Sequence, residues 1–135
     1  MNQARANRVA DRIKELVALL LESRVKDPRL GFITVTDVRV TGDLREASVF
    51  YTVLGDQSQH KSTQAALESA TGMLRSEVGK SLGIKHTPSL TFFLDGVEET
   101  AAHISELLDT AQKRDLALQK LAEANKPTLE NPYKD

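Results

Sequence analysis

Apolar residues recur at helical spacing from the start of the chain and predict a first helix from near Asn2 to Arg24. Their stripe follows an i, i+4, i+7, i+8, i+11 pattern formed by Val9, Ile13, Leu16, Val17 and Leu20. A separate face of the same helix carries Arg5, Arg8 and Arg12. Pro28 cannot continue a helix and disfavours helical geometry at Asp27, so the segment through Gly31 is predicted to be a turn.

Two stretches of alternating, β-branched residues follow and predict an antiparallel hairpin. The first, Ile33–Val40, changes the phase of its alternation near Asp37, which predicts a β-bulge at that point. The second covers residues 47–54, and Thr41-Gly42-Asp43 is the predicted turn between them. A third strand begins after Pro88, where a missing backbone N–H is tolerated, and alternates through Leu94.

The stretch between the second and third strands has a helical pattern that contains a glycine. One apolar stripe steps by four residues across Ala70-Thr71-Gly72 and consists of Ala66, Ala70, Leu74, Val78 and Leu82. A glycine inside a helix costs about 1 kcal/mol relative to alanine, and Thr71 can hydrogen-bond back to the preceding turn. The pattern leaves two interpretations open: two short helices with a kink at Gly72, or one long helix with a tolerated glycine.

A last helical pattern uses Ile104, Leu107, Leu108 and Ala111 and weakens past residues 113–115, although Leu116, Leu118 and Leu121 could prolong it. The chain from Asn125 onward contains two prolines and is predicted to be a flexible tail. We therefore divide the chain into a domain of residues 1–112 and a C-terminal helix extension and tail of residues 113–135. The predicted fold is α+β, with helices covering one face of a three-stranded sheet while the other face could be wet.

Composition and charge narrow the class of protein. No segment approaches the 18 apolar residues that a membrane span needs, and the N-terminal pattern is amphipathic rather than that of a signal peptide. The absence of cysteine excludes disulfides and fits a cytoplasmic location. The net charge of −1 divides into +3 for residues 1–90 and −4 for residues 91–135, a modest asymmetry of the kind that matters for partners.

The residues of an enzyme site cannot be assembled from this sequence. The spacing of His60, His86 and His103 matches no standard metal motif. Gly79-Lys80-Ser81 lacks the upstream glycine of a phosphate-binding loop, because position 74 is Leu. We predict a protein that is not an enzyme and has no cofactor and no metal.

Basic residues gather in several segments that could together form a phosphate-facing surface with salt-sensitive affinity. The candidate contact residues are Arg5, Arg8, Arg12, Lys26, Arg29, Arg39, Arg45, Arg75, Lys80 and Lys85. Because the aromatic residues mostly lie in strand patterns, we expect recognition of backbone and shape rather than stacking on single bases. The sequence does not show which of these cations share a face.

The order and spacing of several short motifs resemble those of bacterial ribosome-binding factor A over roughly residues 5–112. The first motifs are Arg5-x-x-Arg8-Val9, Lys26-Asp27-Pro28-Arg29-Leu30-Gly31, Thr34-Val35-Thr36-Asp37-Val38, and Asp43-Leu44 with Ala47. The later ones are Ala70-Thr71-Gly72 with Leu74-Arg75, Thr87-Pro88-x-Leu90-Thr91-Phe92 with Asp95, and Ile104-x-x-Leu107-Leu108.

This resemblance implies a type II KH-like domain of α-β-β-α-kink-α-β order with an additional C-terminal helix. In the family an Ala-x-Gly kink, here Ala70-Thr71-Gly72, replaces the usual phosphate-binding loop of KH domains, so the resemblance favours the kink. It also implies a non-catalytic factor that binds the immature small (30S) ribosomal subunit, assists late maturation of 16S ribosomal RNA including its 5′ end, and supports growth in the cold. We expect a monomer when free that does not contact membranes. The alternatives are a protein-interaction module that docks a partner through its C-terminal helix and, third, an enzyme.

Overall fold

The computed structural model describes residues 2–96 and 98–124, and it confirms the α+β class. Its elements in chain order are α1 (Asn2–Ser23), a 3₁₀ turn (Pro28–Leu30), β1 (Ile33–Val40), β2 (Glu46–Val53), α2 (Gln57–Leu82), β3 (Ser89–Leu94) and α3 (Glu98–Ala124). Within this part of the chain, every helix is too short or too polar to span a bilayer. The tail predicted from Asn125 onward lies outside the described residues.

The three strands form one sheet in the order β1-β2-β3. β1 and β2 pair antiparallel, as the predicted hairpin requires, and their register shifts between Val35 and Asp37, which confirms the predicted bulge. β3 pairs with β2 in parallel, with Ser89 beside Glu46. A parallel pair needs a crossover connection, which α2 provides.

One face of the sheet is covered by α1 and α2, which bury a continuous apolar core against it. The stripe that predicted α1 is buried along its length, and Ile13 and Val17 are completely inaccessible to solvent. α2 contributes Leu67 and Leu74. Burial of such side chains contributes about 1.5–3 kcal/mol each, so this face holds most of the hydrophobic stabilisation.

The opposite face of the sheet is not left open to water, because α3 lies against it. Ser48 and Phe50 on this face are only 3% and 8% exposed. The ring of Phe93 lies 5.9 Å from that of Phe50 and 5.0 Å from that of His103 in α3. The prediction that helices cover one face therefore holds for α1 and α2, whereas the expectation of a wet opposite face is wrong where α3 packs.

α2 passes through Ala70-Thr71-Gly72 as one uninterrupted helix of 26 residues. The prediction of two helices joined at this segment is therefore wrong, and the alternative of one long helix with a tolerated glycine is confirmed. Buried residues on both sides of Gly72, Leu67 and Leu74, anchor the helix to the same core, and tertiary packing of this kind outweighs the cost of one glycine. Thr71 does form the predicted backward bond, in which its Oγ1 donates to the Leu67 carbonyl at 2.8 Å.

α3 continues through residues 113–115, where its apolar pattern weakens, and crosses residue 112 without interruption. At about 1.5 Å per residue its 27 residues are longer than the strands it covers. Its last turns carry the exposed residues Leu118 and Leu121.

Candidate nucleic-acid interface

Four of the ten candidate cations line a single cleft, which we call the basic cleft and define by Arg5, Arg45, Arg75 and Lys85. They come from the start of α1, the β1–β2 turn, α2 and the loop between α2 and β3. His86 also lines it. Residues that are far apart in sequence thus meet at one end of the molecule.

The topology of the sheet explains this convergence. The chain reverses its direction between α1 and β1, so the end of β1 lies near the start of α1. Because β2 and β3 are parallel, the loop that leads into β3 lies beside the turn that leads into β2. A hydrogen bond of 2.9 Å from the Ser89 amide to the Arg45 carbonyl joins the two segments.

The β1–β2 turn that carries Arg45 is held by its own polar groups. The Thr41 hydroxyl donates to Asp43 Oδ1 at 2.8 Å, and the same carboxylate accepts from the Arg45 amide at 3.2 Å. Leu44 adopts a left-handed conformation with φ of 61°, which costs energy for a non-glycine residue and requires support from its surroundings. The predicted turn at Thr41-Gly42-Asp43 is confirmed.

Arg75 and Gly79 hold the loop before β3 against α2. Arg75 donates to the Thr87 carbonyl at 2.8 Å and to the Pro88 carbonyl at 3.2 Å. A Cβ atom at Gly79 would clash with Thr87 Oγ1, so glycine at this position lets the loop lie close to α2 with Thr87 in its present conformation. Arg75 is therefore a cation of the cleft whose guanidinium also positions the loop that carries Lys85.

Two acidic residues, Asp43 and Glu46, border the same cleft, and both are bound by Arg114 of α3. Arg114 Nε donates to Asp43 Oδ2 at 2.8 Å, and its Nη2 donates to Glu46 Oε1. Burial alone would raise the pKa of Asp43, but hydrogen bonds from Arg114, the Thr41 hydroxyl and the Arg45 amide lower it below its usual value. The same bond to Asp43 raises the pKa of Arg114.

Arg114 is not among the residues that the sequence predicts for the site, although the pattern carries a signal for it. It follows Ala111 by three residues and precedes Leu118 by four, so it occupies the sheet-facing stripe of α3. A cation in such a stripe needs an acidic partner. The partner lies about 70 residues away in sequence, in a turn whose distance from α3 only the fold sets.

The remaining six candidates lie outside the basic cleft, and four of them have acidic neighbours. Salt bridges join Arg12 to Glu15 at 3.2 Å, Arg29 to Asp27 at 2.6 Å, Arg39 to Asp37 at 3.3 Å and Lys80 to Glu77 at 3.7 Å. Arg8 and Lys26 form no ion pair with the described side chains. Thus only Arg5 of the three α1 arginines lines the cleft. Exposed pairs contribute little to stability and can exchange for other anions.

Histidine and carboxylate side chains do not gather into a metal-binding group of three anywhere in the described ranges 2–96 and 98–124. The chemistry available in the cleft is that of guanidinium and ammonium groups, which donate hydrogen bonds to anions such as phosphate. The arrangement of these cations is therefore suited to binding phosphate groups.

Comparison with known proteins agrees with the motif series. The family profile described as ribosome-binding factor A matches residues 5–108. A ribosome-binding factor A from Beutenbergia cavernae is 61% identical over 119 residues, which cover 88% of this chain and 75% of that protein.

Solved structures show the same fold. A Thermotoga maritima protein described as a putative ribosome-binding factor A is 30% identical, with a TM-score of 0.62 over 70% of this chain and 91% of that one. A homology model of the Thermus thermophilus ribosome-binding factor A, fitted into a cryo-electron microscopy map of a 30S complex, is 24% identical. It has a TM-score of 0.53 over 62% of this chain and 88% of that one. The sequence resemblance is thereby confirmed, and the chain belongs to the ribosome-binding factor A family.

Proposed function

We propose that this protein is a non-catalytic assembly factor that binds the immature 30S ribosomal subunit through the basic cleft. In this role it assists late maturation of 16S ribosomal RNA, including processing of the 5′ end, and supports growth in the cold. The proposal rests above all on the convergence of Arg5, Arg45, Arg75 and Lys85 in one cleft. Family membership and the 30S complex of the Thermus thermophilus relative support it.

The cleft is suited to the RNA backbone rather than to unstacked bases. Its cations come from four different segments, so they can contact several phosphates at once. The aromatic residues of the sheet are unsuited to stacking on bases, since Phe50 and Phe92 are buried. Phe32 is 81% exposed but precedes β1, at the end of the sheet opposite the β1–β2 turn.

The domain of residues 1–112 supplies all four cations of the cleft, and the extension from residue 113 supplies Arg114. We propose that the six outlying candidates act as peripheral phosphate contacts, in which RNA phosphates replace the carboxylate partners of Arg12, Arg29, Arg39 and Lys80. The protein acts as a monomer in the cytoplasm, where subunits are assembled.

A triple variant tests the cleft directly. Replacement of Arg5, Arg45 and Lys85 by Ala spares Arg75, whose bonds to the loop carbonyls are structural. Cosedimentation of this variant with purified immature and mature small subunits, measured over a range of salt concentrations, gives its affinity and salt slope. Removal of one phosphate contact should reduce the slope by about 0.7–0.9, and binding should weaken on both particles.

The matched control removes the same charge elsewhere. Lys14, Lys61 and Lys113 are exposed residues of α1, α2 and α3 that do not line the cleft, and their replacement by Ala should leave most of the salt slope intact. If both triple variants weaken binding equally, net charge rather than the cleft is responsible. If neither weakens it, the proposed interface is wrong.

The role in maturation has its own test. Cells that lack the protein should accumulate precursor 16S ribosomal RNA with an unprocessed 5′ end and should grow slowly in the cold. The unmodified protein should restore both properties, while the cleft variant should not. Pure protein should leave precursor RNA intact, and cleavage without added nuclease would overturn the non-catalytic assignment.

A further inference from the structure

The end of α3 supplies the charge that neutralises the acidic edge of the basic cleft. Asp43 and Glu46 line the cleft together with its cations. Arg114 binds both from α3, which lies on the face of the sheet opposite α1 and α2. We propose that Arg114 keeps the cleft competent to bind phosphate by occupying these two carboxylates, so that docking of α3 and binding of RNA phosphates are coupled. This inference rests on the proposed function of the cleft and adds a residue that controls it.

The local electrostatics supply the reason. The Asp43 side chain is only 6% exposed, and a carboxylate that is largely removed from water needs a partner. Without Arg114, Asp43 and Glu46 are left unpaired in a cleft that they line together with Arg5, Arg45, Arg75 and Lys85. Arg45 is close in sequence, and its amide already donates to Asp43. Carboxylates that pair with these cations compete directly with phosphate for them.

α3 is attached in a way that makes such coupling possible. Within residues 102–121, its buried side chains are Ile104 and Ala111, while Leu108, Leu116, Leu118 and Leu121 are exposed. The second half of the helix is therefore held to the sheet chiefly by Arg114 rather than by apolar burial. A helix attached in this way can detach without unfolding the core beneath α1 and α2, which provides the two states that coupling between sites requires.

The coupling is reciprocal because it is a free energy shared by two equilibria. Phosphates in the cleft favour the state in which Asp43 and Glu46 are neutralised, and so they stabilise docked α3. Conversely, any event that removes α3 from the sheet releases two carboxylates into the cleft and promotes dissociation of the RNA.

Four variants separate this mechanism from a merely structural role of Arg114. Arg114→Ala should weaken binding to immature small subunits at least about fivefold, within the range of typical coupling between sites. The triple variant Arg114→Ala, Asp43→Asn, Glu46→Gln removes the acids as well and should restore binding to near the unmodified level, although α3 lacks its ion pairs in both. Asp43→Asn with Glu46→Gln alone should bind at least as well as the unmodified protein. Lys113→Ala is the matched control, since it removes an adjacent, exposed cation of α3 that pairs with Asp109.

The same four variants should be titrated with inorganic polyphosphate, which reports on the cleft without the ribosomal subunit. If the unmodified protein binds polyphosphate but not the subunit, the proposed function is wrong while the effect of Arg114 on phosphate is still measured. Weak binding of both probes by the triple variant would overturn our proposal, because it would show that the position of α3 and not the freed acids is decisive. Unweakened binding of polyphosphate by Arg114→Ala would overturn it as well. Circular dichroism should confirm that each variant remains folded.

Discussion

On one face of the sheet, α1 and α2 contribute Ile13, Leu67 and Leu74 as completely buried side chains. On the other face, the buried side chains of α3 within residues 102–121 are Ile104 and Ala111, and Arg114 binds Asp43 and Glu46. Apolar burial involves no charges for salt to screen or protons to neutralise, while ion pairs respond to both salt and pH. The first face therefore holds the fold together. The second face attaches an element whose position can change while the rest of the molecule stays folded.

The strongest test of this difference between the two faces is a substitution that creates a cavity under α1 and α2. Leu74→Ala should lower the free energy of unfolding by about 2–5 kcal/mol, because the side chain is completely buried and its neighbours cannot fully close the gap. Leu116→Ala on α3 is the control, and it should change stability by less than about 0.5 kcal/mol because Leu116 is 58% exposed. Chemical denaturation measures both. Equal effects would show that the two faces do not differ as described.

A second variant tests whether the contact between α2 and the loop before β3 can accommodate an extra methyl group. Gly79→Ala places a methyl group against Thr87 Oγ1, so the loop before β3 must move or the side chain of Thr87 must rotate. Overpacking of this kind costs about 1–3 kcal/mol. Thermal unfolding should show the loss, and binding to small subunits should weaken with it because the displaced loop carries Lys85. An unchanged unfolding temperature would mean that this loop can shift to accommodate the methyl group without loss of stability.

Acid should weaken the contact between Arg114 of α3 and Asp43. The folded-state pKa of Asp43 lies below its ordinary value of 3.8, since hydrogen bonds from Arg114, Thr41 and the Arg45 amide outweigh the opposing effect of burial. The stability it contributes is present above the unfolded-state pKa and is lost as the pH falls through the lower folded-state pKa. We expect the Arg114–Asp43 contact to persist at neutral pH and to weaken below about pH 4, with a loss of about 1.5 kcal/mol for the hydrogen bond to a charged group.

The signal of Arg114 Nε–H in nuclear magnetic resonance spectra reports this contact. Asp43→Asn should abolish its response in that pH range. A response that survives in this variant would show that protonation of Asp43 is not its cause.

The smallest expected effect is an increase in stability when Gly72 is replaced. Apart from its chain neighbours and the backbone of its own helix, a Cβ atom there would meet no heavy atom of the described chain within 4 Å. The residue lies inside a regular helix. Gly72→Ala should therefore raise the free energy of unfolding by about 0.4–1 kcal/mol through reduced freedom of the unfolded chain. A loss of stability would indicate that α2 needs glycine at this point for a reason other than local space. Together with Gly79→Ala, this variant shows that two glycines of one helix serve different purposes.

The sequence identified the basic residues that could contact RNA, but it did not show which of them share one surface. Ten cations were recognisable from the sequence, yet only Arg5, Arg45, Arg75 and Lys85 line one cleft. The selection depends on the parallel pairing of β3 with β2, which brings the loop at Lys85 beside the turn at Arg45. No local pattern specifies the direction of a strand that is separated from its partner by a long helix.

Local pattern by itself determined the helices, the three strands, the bulge near Asp37 and the motif series of the family, because each depends on neighbouring residues and on the periodicity of their burial. The tertiary structure decided the continuity of α2 across Gly72, since anchoring residues on both sides outweigh the local penalty. It also decided the coverage of the second face of the sheet by α3 and the pairing of Arg114 with Asp43 and Glu46. Both depend on contacts between residues that only the folded chain brings together.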